Sequence, residues 1–354
     1  MGNMGNETTS LRRLRAVACL AVLVLSLAAC GGDDGGQASG DQAGGGGGER
    51  IRIGWVVQNF SNPAIVQMVD AGKDEAAKNF PNVEVLAEDS KNLEDQISKA
   101  ETLIAQGVDV LGIQPWEGAA IRPILDRAKS ANIPVFLTQD DAPGAVQDGL
   151  AVTYIASDEV EGGRLVGKWL SGQLGGSGEV ALIEGAPGDS PAHNRTQGFE
   201  EAIQGSGIKI VARDTGNWAR DEGLRVATDI LTAHPNLKAI FAHNDEMAFG
   251  ALEALRAAKK DKSVLLIGYN GTCIGLEATV KGQFAAEGVL FLDEVGREFI
   301  RQAVAHQDGK QVEPRIQPPI MVLDTKQANA TIEGQGQADP ALVERLKKAQ
   351  AGDC

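Results

Sequence analysis

Two doubly wound α/β lobes, each built on an open and largely parallel sheet, are the architecture this sequence predicts. Three observations lead there. From Ile51 onward, short apolar runs alternate with amphipathic helical stretches, the pattern of parallel strands joined by right-handed crossovers. The alternation forms one series ending near Leu137 and a second starting at Val152, so two sheets fit better than one. The chain has 354 residues, more than one hydrophobic core usually serves.

Before the first strand stands a leader. Arg12, Arg13 and Arg15 precede the apolar run Ala16–Ala28, which falls short of the ~18–20 apolar residues a membrane-spanning helix needs. Leu27-Ala28-Ala29-Cys30 looks like a bacterial lipobox, which implies removal of residues 1–29 and a lipid on the Cys30 sulfur. An ordinary secretory signal with an incidental Cys30 is the alternative, and both place the mature protein outside the cytoplasm. Residues 30–50 are nearly all Gly, Asp, Gln, Ser and Ala, a composition that cannot bury a core. They read as a flexible tether, with a reach of roughly 20–25 Å.

The first lobe opens with a strand at Ile51–Val57. A helix follows in which Ile65, Met68, Val69, Gly72, Ala76 and Phe80 share a face, and Pro81-Asn82 ends it. Strands at Val83–Leu86, Val108–Ile113 and Ile133–Leu137 then alternate with helices at Leu93–Ala105 and Ile121–Ala131. In the second series the strands are Val152–Ile155, Glu179–Ile183, Ile208–Ala212, Ala239–Ala242 and Val264–Gly268. Helices near 160–171, 195–204, 221–232 and 246–258 separate them. Residues 284–323 add a strand, a helix at Val295–Ala305 and extended pieces around Pro314, Pro318 and Pro319, and Pro340–Ala349 reads as a surface helix.

Charge narrows the partners. The net charge of −15 becomes −17 when the leader takes away three arginines and one glutamate. So acidic a surface repels nucleic acid and anionic headgroups, leaving a lipid anchor as the expected membrane attachment. Of four cysteines, Cys19 departs with the leader and Cys30 serves as anchor. Cys273 and Cys354 remain, and the sequence leaves a disulfide and two free thiols equally open. His193, His234, His243 and His306 are too scattered to suggest a metal site, and no cofactor motif is present.

In open parallel sheets, ligands sit beyond the carboxyl ends of the strands. Those positions hold Gln58, Asn62, Gln114, Trp116, Gln139, Asp140 and Asp141 in the first lobe. In the second they hold Asp189–Arg195, Trp218, Asn244, Asp245 and Asn270. Neutral and mixed donors and acceptors suit a neutral polyhydroxylated ligand, whose hydroxyls both give and accept. Trp55 and Trp169 lie within a strand and a helix and read as core, whereas Trp116 and Trp218 sit on loops among polar residues. Such indole planes pack against the C–H face of a sugar ring, or else plug the lobe surface.

The same residues resemble a known family. Phe241–Leu252 (FAHNDEMAFGAL) is similar to the NDEMALGAL stretch of ribose-type periplasmic binding proteins, and Gly268-Tyr269-Asn270-Gly271-Thr272 to their GFDGT. Ser61-Asn62-Pro63, Ile155–Asp158 with Gly162-Gly163, and Arg195–Phe199 resemble further family motifs, in order, between about Ile51 and Leu323. The resemblance implies a monomeric solute-binding protein that delivers a sugar to an ABC permease. It implies hinge crossings near Ala156–Asp158, Glu287–Leu290 and Pro318–Met321, and hence lobes of 51–156 plus 289–318 and 157–288 plus 319–350. Ligand contacts would fall on Asn62, Gln114 and Gln139, then on Arg195, Trp218, Asn244 and Asn270, with Trp116 as an added wall. Ala64 and Ile65 stand where the family has paired phenylalanines, Gln139 and Asn270 where it has aspartates, and an apolar residue near Leu290 where it has glutamine. A ligand other than ribose is therefore expected.

Other readings have weaker support. A sensor subunit that presents sugar to a receptor kinase or chemoreceptor shares every one of these features. A transcription regulator would need a basic helix-turn-helix ahead of residue 51. For an enzyme, Gly185–Asp189 lacks the Lys-Ser/Thr of a phosphate loop, and Gly162–Gly167 lacks dinucleotide spacing. Asp140-Asp141 reads as solvated surface, and no Ser/His/Asp or Cys/His set occupies the strand ends.

Overall fold

The computed structural model describes residues 50–335 and 338–354. The leader, Cys30 and the tether up to residue 49 lie outside the described residues. The first series runs β1 (Ile51–Val57), α1 (Pro63–Asn79), β2 (Val83–Asp89), α2 (Leu93–Ala105), β3 (Val110–Ile113), α3 (Arg122–Ser130), β4 (Val135–Thr138) and β5 (Thr153–Ile155), the strand that the alternation along the chain puts at the head of the second series but that pairs with β4 in the first sheet. The second runs α4 (Glu159–Gln173), β6 (Ser177–Glu184), α5 (Ser190–Ile203), β7 (Gly207–Thr215), α6 (Arg220–Ala233), β8 (Ala239–Ala242), α7 (Asp245–Ala257), β9 (Leu265–Asn270), α8 (Cys273–Val280) and β10 (Ala286–Leu290). After it come α9 (Leu292–Gln307), β11 (Arg315–Ile316), β12 (Ile320–Asp324), α10 (Thr325–Ile332) and α11 (Pro340–Ala351).

Two six-stranded sheets result, ordered β11-β5-β4-β3-β1-β2 and β12-β10-β9-β8-β6-β7. The chain passes from the first to the second between Ile155 and Glu159 and returns between Leu290 and Leu292, where α9 packs on α1. It crosses a last time between Ile316 and Ile320. Pairing is parallel throughout except for β10 with β12. That last strand enters its sheet straight from the other lobe, with no crossover helix to reverse it.

Each lobe closes over an aromatic core. In the first, Trp55 is fully buried 4.7 Å from Phe299, and its indole N–H reaches Thr138 Oγ1 at 3.2 Å. In the second, Phe241 stands between Phe199 and Tyr269, at 5.5 and 5.9 Å. Trp169 is half-buried at the margin of that core.

Two short helices escape the periodicity. α8 shows no apolar stripe, its polar Glu277 and Thr279 lying among apolar neighbours; the Thr272 side chain, accepting from the Gly275 N–H, starts it. α10 begins with a capping box of Asp324 and Gln327. Nor is α11 a purely surface helix: Leu342, Leu346 and Ala349 are buried against the α8 and α10 region. Its end is stapled to α8 by a Cys273–Cys354 disulfide with a Cα–Cα distance of 5.5 Å. The sequence separation of 81 residues makes the lost loop entropy large, but the buried face of α11 holds the helix even without the bond. Cys354→Ser is therefore expected to cost about 2 kcal/mol, at the low end of the usual range. Urea midpoints of the variant and of the oxidised and reduced protein would check this. A midpoint unaffected by reduction would show that the staple contributes nothing.

Candidate functional site

The cavity lies between the carboxyl ends of the two sheets. It is tight, with about 40 Å³ of free space, well below the roughly 300–1,000 Å³ common for small-molecule sites. The first lobe lines it with Gln58, Asn62, Gln114, Gln139 and Asp140, and with the apolar Ala64, Ile65, Met68 and Leu292. The second contributes Asp189, Pro191, Trp218 and Asn270. At the mouth the lobes touch, where the Asp141 N–H donates to Ser190 Oγ at 3.2 Å. This is a closed arrangement.

Local structure explains why these groups face inward. Gln58, Gln114 and Gln139 each directly follow the last residue of β1, β3 and β4. Asn62 caps α1 by accepting from the Ala64 N–H at 3.0 Å. Gln139, Trp218 and Asn270 all have positive φ, at +61°, +62° and +118°. Left-handed backbone at a tryptophan is costly, and such strain tends to cluster at ligand sites.

Trp218 is held from three sides. Its indole N–H donates to Asp189 Oδ2 at 2.6 Å, and its carbonyl accepts from Asn244 Nδ2 at 3.0 Å. The ring lies so close over Gly185 that any Cβ there would overlap it. The Gly185–Asp189 loop therefore seats an indole.

Of the eight ligand-contact residues expected from sequence, the structure brings Asn62, Gln114, Gln139, Trp218 and Asn270 to the cavity. Three lie elsewhere. Trp116 donates its indole N–H to Ser90 Oγ at 2.9 Å and its backbone N–H to Gln96, so it closes the lobe surface. Asn244 spends its side chain on the Met247 N–H, as the cap of α7, and on the Trp218 carbonyl. Arg195 is sealed behind the site. It pairs with Glu159 through two hydrogen bonds of 2.9 Å, donates to the His243 carbonyl, and stacks 4.0 Å from the Tyr269 ring centroid.

Glu159 is the hub of this layer, accepting also from Tyr269 Oη and from Gln139 Nε2, both at 2.8 Å. Nothing in the local sequence singles it out, because its partners come from β9, α5 and the loop after β4. Asp140 is buried too, contrary to the solvated surface that its doublet with Asp141 suggests. Gln114 Nε2 donates to its Oδ2 at 2.9 Å. Ala64, Ile65 and Met68 fall on one face of α1, and their inward position was legible only as part of a core stripe.

Burial, and then the neighbouring carboxylate of Asp189, push the Asp140 acid well above the usual range. Asp189 is raised to about 7, chiefly by burial and then by Glu117, against the lowering effect of the Trp218 N–H and Arg195. A carboxyl raised in the folded state binds more protons than in the unfolded chain, so its contribution to stability falls as pH climbs. For Asp189 the fall runs from about pH 4 to about 7 and then levels off. Unfolding midpoints between pH 5 and 8 should therefore decline more steeply in the native protein than in Asp189→Asn. Equal slopes would show that Asp189 does not titrate in this window.

Comparison with known proteins agrees with this geometry. The periplasmic binding protein domain model matches residues 53–311. The ribose import binding protein RbsB of Escherichia coli (strain K12) is 33% identical over 275 residues, covering 78% of this chain and 90% of its own. The xylitol-binding protein of Mycolicibacterium smegmatis is 30% identical over 280 residues, covering 77% and 74%. A solute binding protein from Actinobacillus succinogenes 130z with bound D-allose superposes with a TM-score of 0.74 at 28% identity, covering 78% of this chain and 99% of the other. One from Bacillus halodurans C-125 with bound myo-inositol gives 0.75 at 26%, covering 82% and 99%.

Proposed function

The chain belongs to the periplasmic binding protein family, in its ribose/galactose sugar-binding branch, and from that premise we propose that it captures a polyhydroxylated small molecule between its lobes and hands it to an ABC permease. The protein is a binding protein rather than an enzyme, and it works outside the cytoplasm. One observation carries the ligand assignment: both lobes send amide side chains into one cavity that Trp218 walls on one side. Amides give and accept at once, as vicinal hydroxyls do, and an indole face covers the apolar C–H surface of a ring or chain.

Capture follows from population shift. A ligand that touches both lobes stabilises the closed form more than the open one, and about 5.5 kcal/mol of difference turns a 1:99 ratio into 99:1. Several desolvated hydrogen bonds at about 1 kcal/mol each, together with stacking on Trp218, reach that order. Closure then sets the two lobe faces at the separation a permease reads. Lipidation at Cys30 and the glycine-rich tether would keep the protein beside that permease.

Thermal shift and calorimetry against aldoses, ketoses, alditols and inositols test the reading, with saturable binding of at least one class expected. A panel that leaves the melting temperature unmoved overturns it. Incorporation of labelled palmitate into the native chain, lost in Cys30→Ala, tests the anchor; equal labelling of the two removes it.

A further inference from the structure

The cavity is short of donors. Among the described residues that line it, none is lysine, arginine or histidine, while two are aspartates. Asp140 has one oxygen satisfied by Gln114, and Asp189 one by the Trp218 indole. Gln139 is only 6% exposed and gives its amide N–H to Glu159, which leaves its Oε1 buried with no partner. Arg195, whose charge acts on both aspartates, is paired with Glu159 and donates a third hydrogen bond to a backbone carbonyl. Two carboxylates therefore face the space the ligand fills, with a buried, unpartnered carbonyl beside them, and the one cation that acts on both carboxylates is already paired with Glu159.

Resting on the reading of this cavity as a polyol site, we propose that its ligand is a polyhydroxylated molecule bearing a protonated amine, which sits against Asp140 and Asp189 and within reach of Gln139 Oε1. An ammonium group is three donors and no acceptor, the complement of this set. Charged hydrogen bonds are about twice as strong as neutral ones, and a buried carboxylate left without a cation is costly. The remaining hydroxyls are served by the amides of Asn62 and Asn270.

The surroundings set the sign of the pH dependence. Asp140 faces Asp189, Glu159 and Arg195, with Tyr154, Asp141 and Arg315 on the β5 and β11 side. Asp189 faces Glu117 and Arg195. A neutral ligand's hydroxyls accept from a protonated aspartate and donate to an ionised one, so its affinity changes little with pH. A cationic ligand is best received when they are ionised, so its affinity rises until the amine itself loses its proton.

Calorimetry on matched probes decides the matter: ribitol, xylitol and sorbitol, each against its 1-amino-1-deoxy counterpart and the N-acetyl derivative, together with D-galactose against D-galactosamine. In at least one pair the amine is expected to bind tenfold or more tighter at pH 7.5 than its hydroxyl parent and its N-acetyl form. Affinity of the amine should rise between pH 5.5 and 7.5 while that of the parent changes by much less. In D140N/D189N, whose melting curve reports its folding, the preference should shrink below threefold; single Asn variants serve if the double variant does not fold. Parents binding as well as or better than amines in every pair would overturn this inference and leave the polyol reading standing. An amine preference that survives loss of both carboxylates also overturns it. Silence of all probes, neutral and charged, together with the aldose, ketose and inositol panel, would remove the polyol reading itself.

Discussion

Glu159→Ala is expected to destabilise the protein by about 3–5 kcal/mol, the cost of leaving a buried charge without its partner. The side chains of Glu159 and Arg195 are 2% and 3% exposed, so water cannot stand in for the lost carboxylate. Two guanidinium donors, the Tyr269 hydroxyl and the Gln139 amide would all lose their acceptor at once. The pair also ties α4 to α5, whose backbones approach so closely that a Cβ at Gly163 would overlap the Arg195 carbonyl. Burial pulls the Arg195 pKa down and Glu159 more than offsets this in the native protein; the variant loses that offset, but arginine starts from so high a pKa that the guanidinium stays charged and cannot escape by losing a proton. Replacing both partners by apolar residues, as in Glu159→Leu with Arg195→Met, should recover much of the loss. Denaturant midpoints of the three proteins make the comparison. A single-variant loss under about 1 kcal/mol would mean that the pair is not the buried hub described.

Trp218→Ala is expected to weaken ligand binding about a hundredfold, or roughly 2–3 kcal/mol, as large aromatic anchors do when truncated in a dry pocket. The loss combines the ring face, the closure of the cavity and the orientation of Asp189, whose oxygen accepts the indole N–H. Backbone strain separates two variants that both lack the ring. Trp218 has a φ of +62°, which alanine tolerates poorly and glycine readily. Trp218→Gly should therefore melt higher than Trp218→Ala, while both bind equally weakly. Calorimetry with the tightest ligand of the polyol panel, paired with melting curves, reads both effects. An affinity change below threefold would show that the indole only fills space over Gly185.

Much of the fold is legible in the sequence, and the particular successes and misses share a cause. Strand β1, helix α2 and the strands of the second sheet appear as apolar runs and stripes because burial of a regular element imposes its own repeat on neighbouring residues. α8 and α10 do not appear. They are eight residues each, and a cap rather than a stripe starts them. The same limit governs the site. Asn62, Gln114, Gln139, Trp218 and Asn270 reach the cavity because they follow or end strands, a position visible in the chain. Asn244 and Trp116 follow strands in the same way and Arg195 lies on α5, yet each is consumed by partners 20 or more residues away.

From its sequence alone this chain had already determined two parallel-sheet lobes, the ends of the strands where a ligand sits, and a class of polar and aromatic side chains to meet it. These follow from local periodicity and from the geometry of parallel sheets, which each short segment carries by itself. Only the tertiary structure decided that Glu159 and Arg195 neutralise each other, that no cationic side chain lines the cavity beside Asp140 and Asp189 among the described residues, and that Cys273 meets Cys354. Whether a polar group is spent or available depends on which distant group burial brings within 3 Å of it, and no spacing along the chain records that distance.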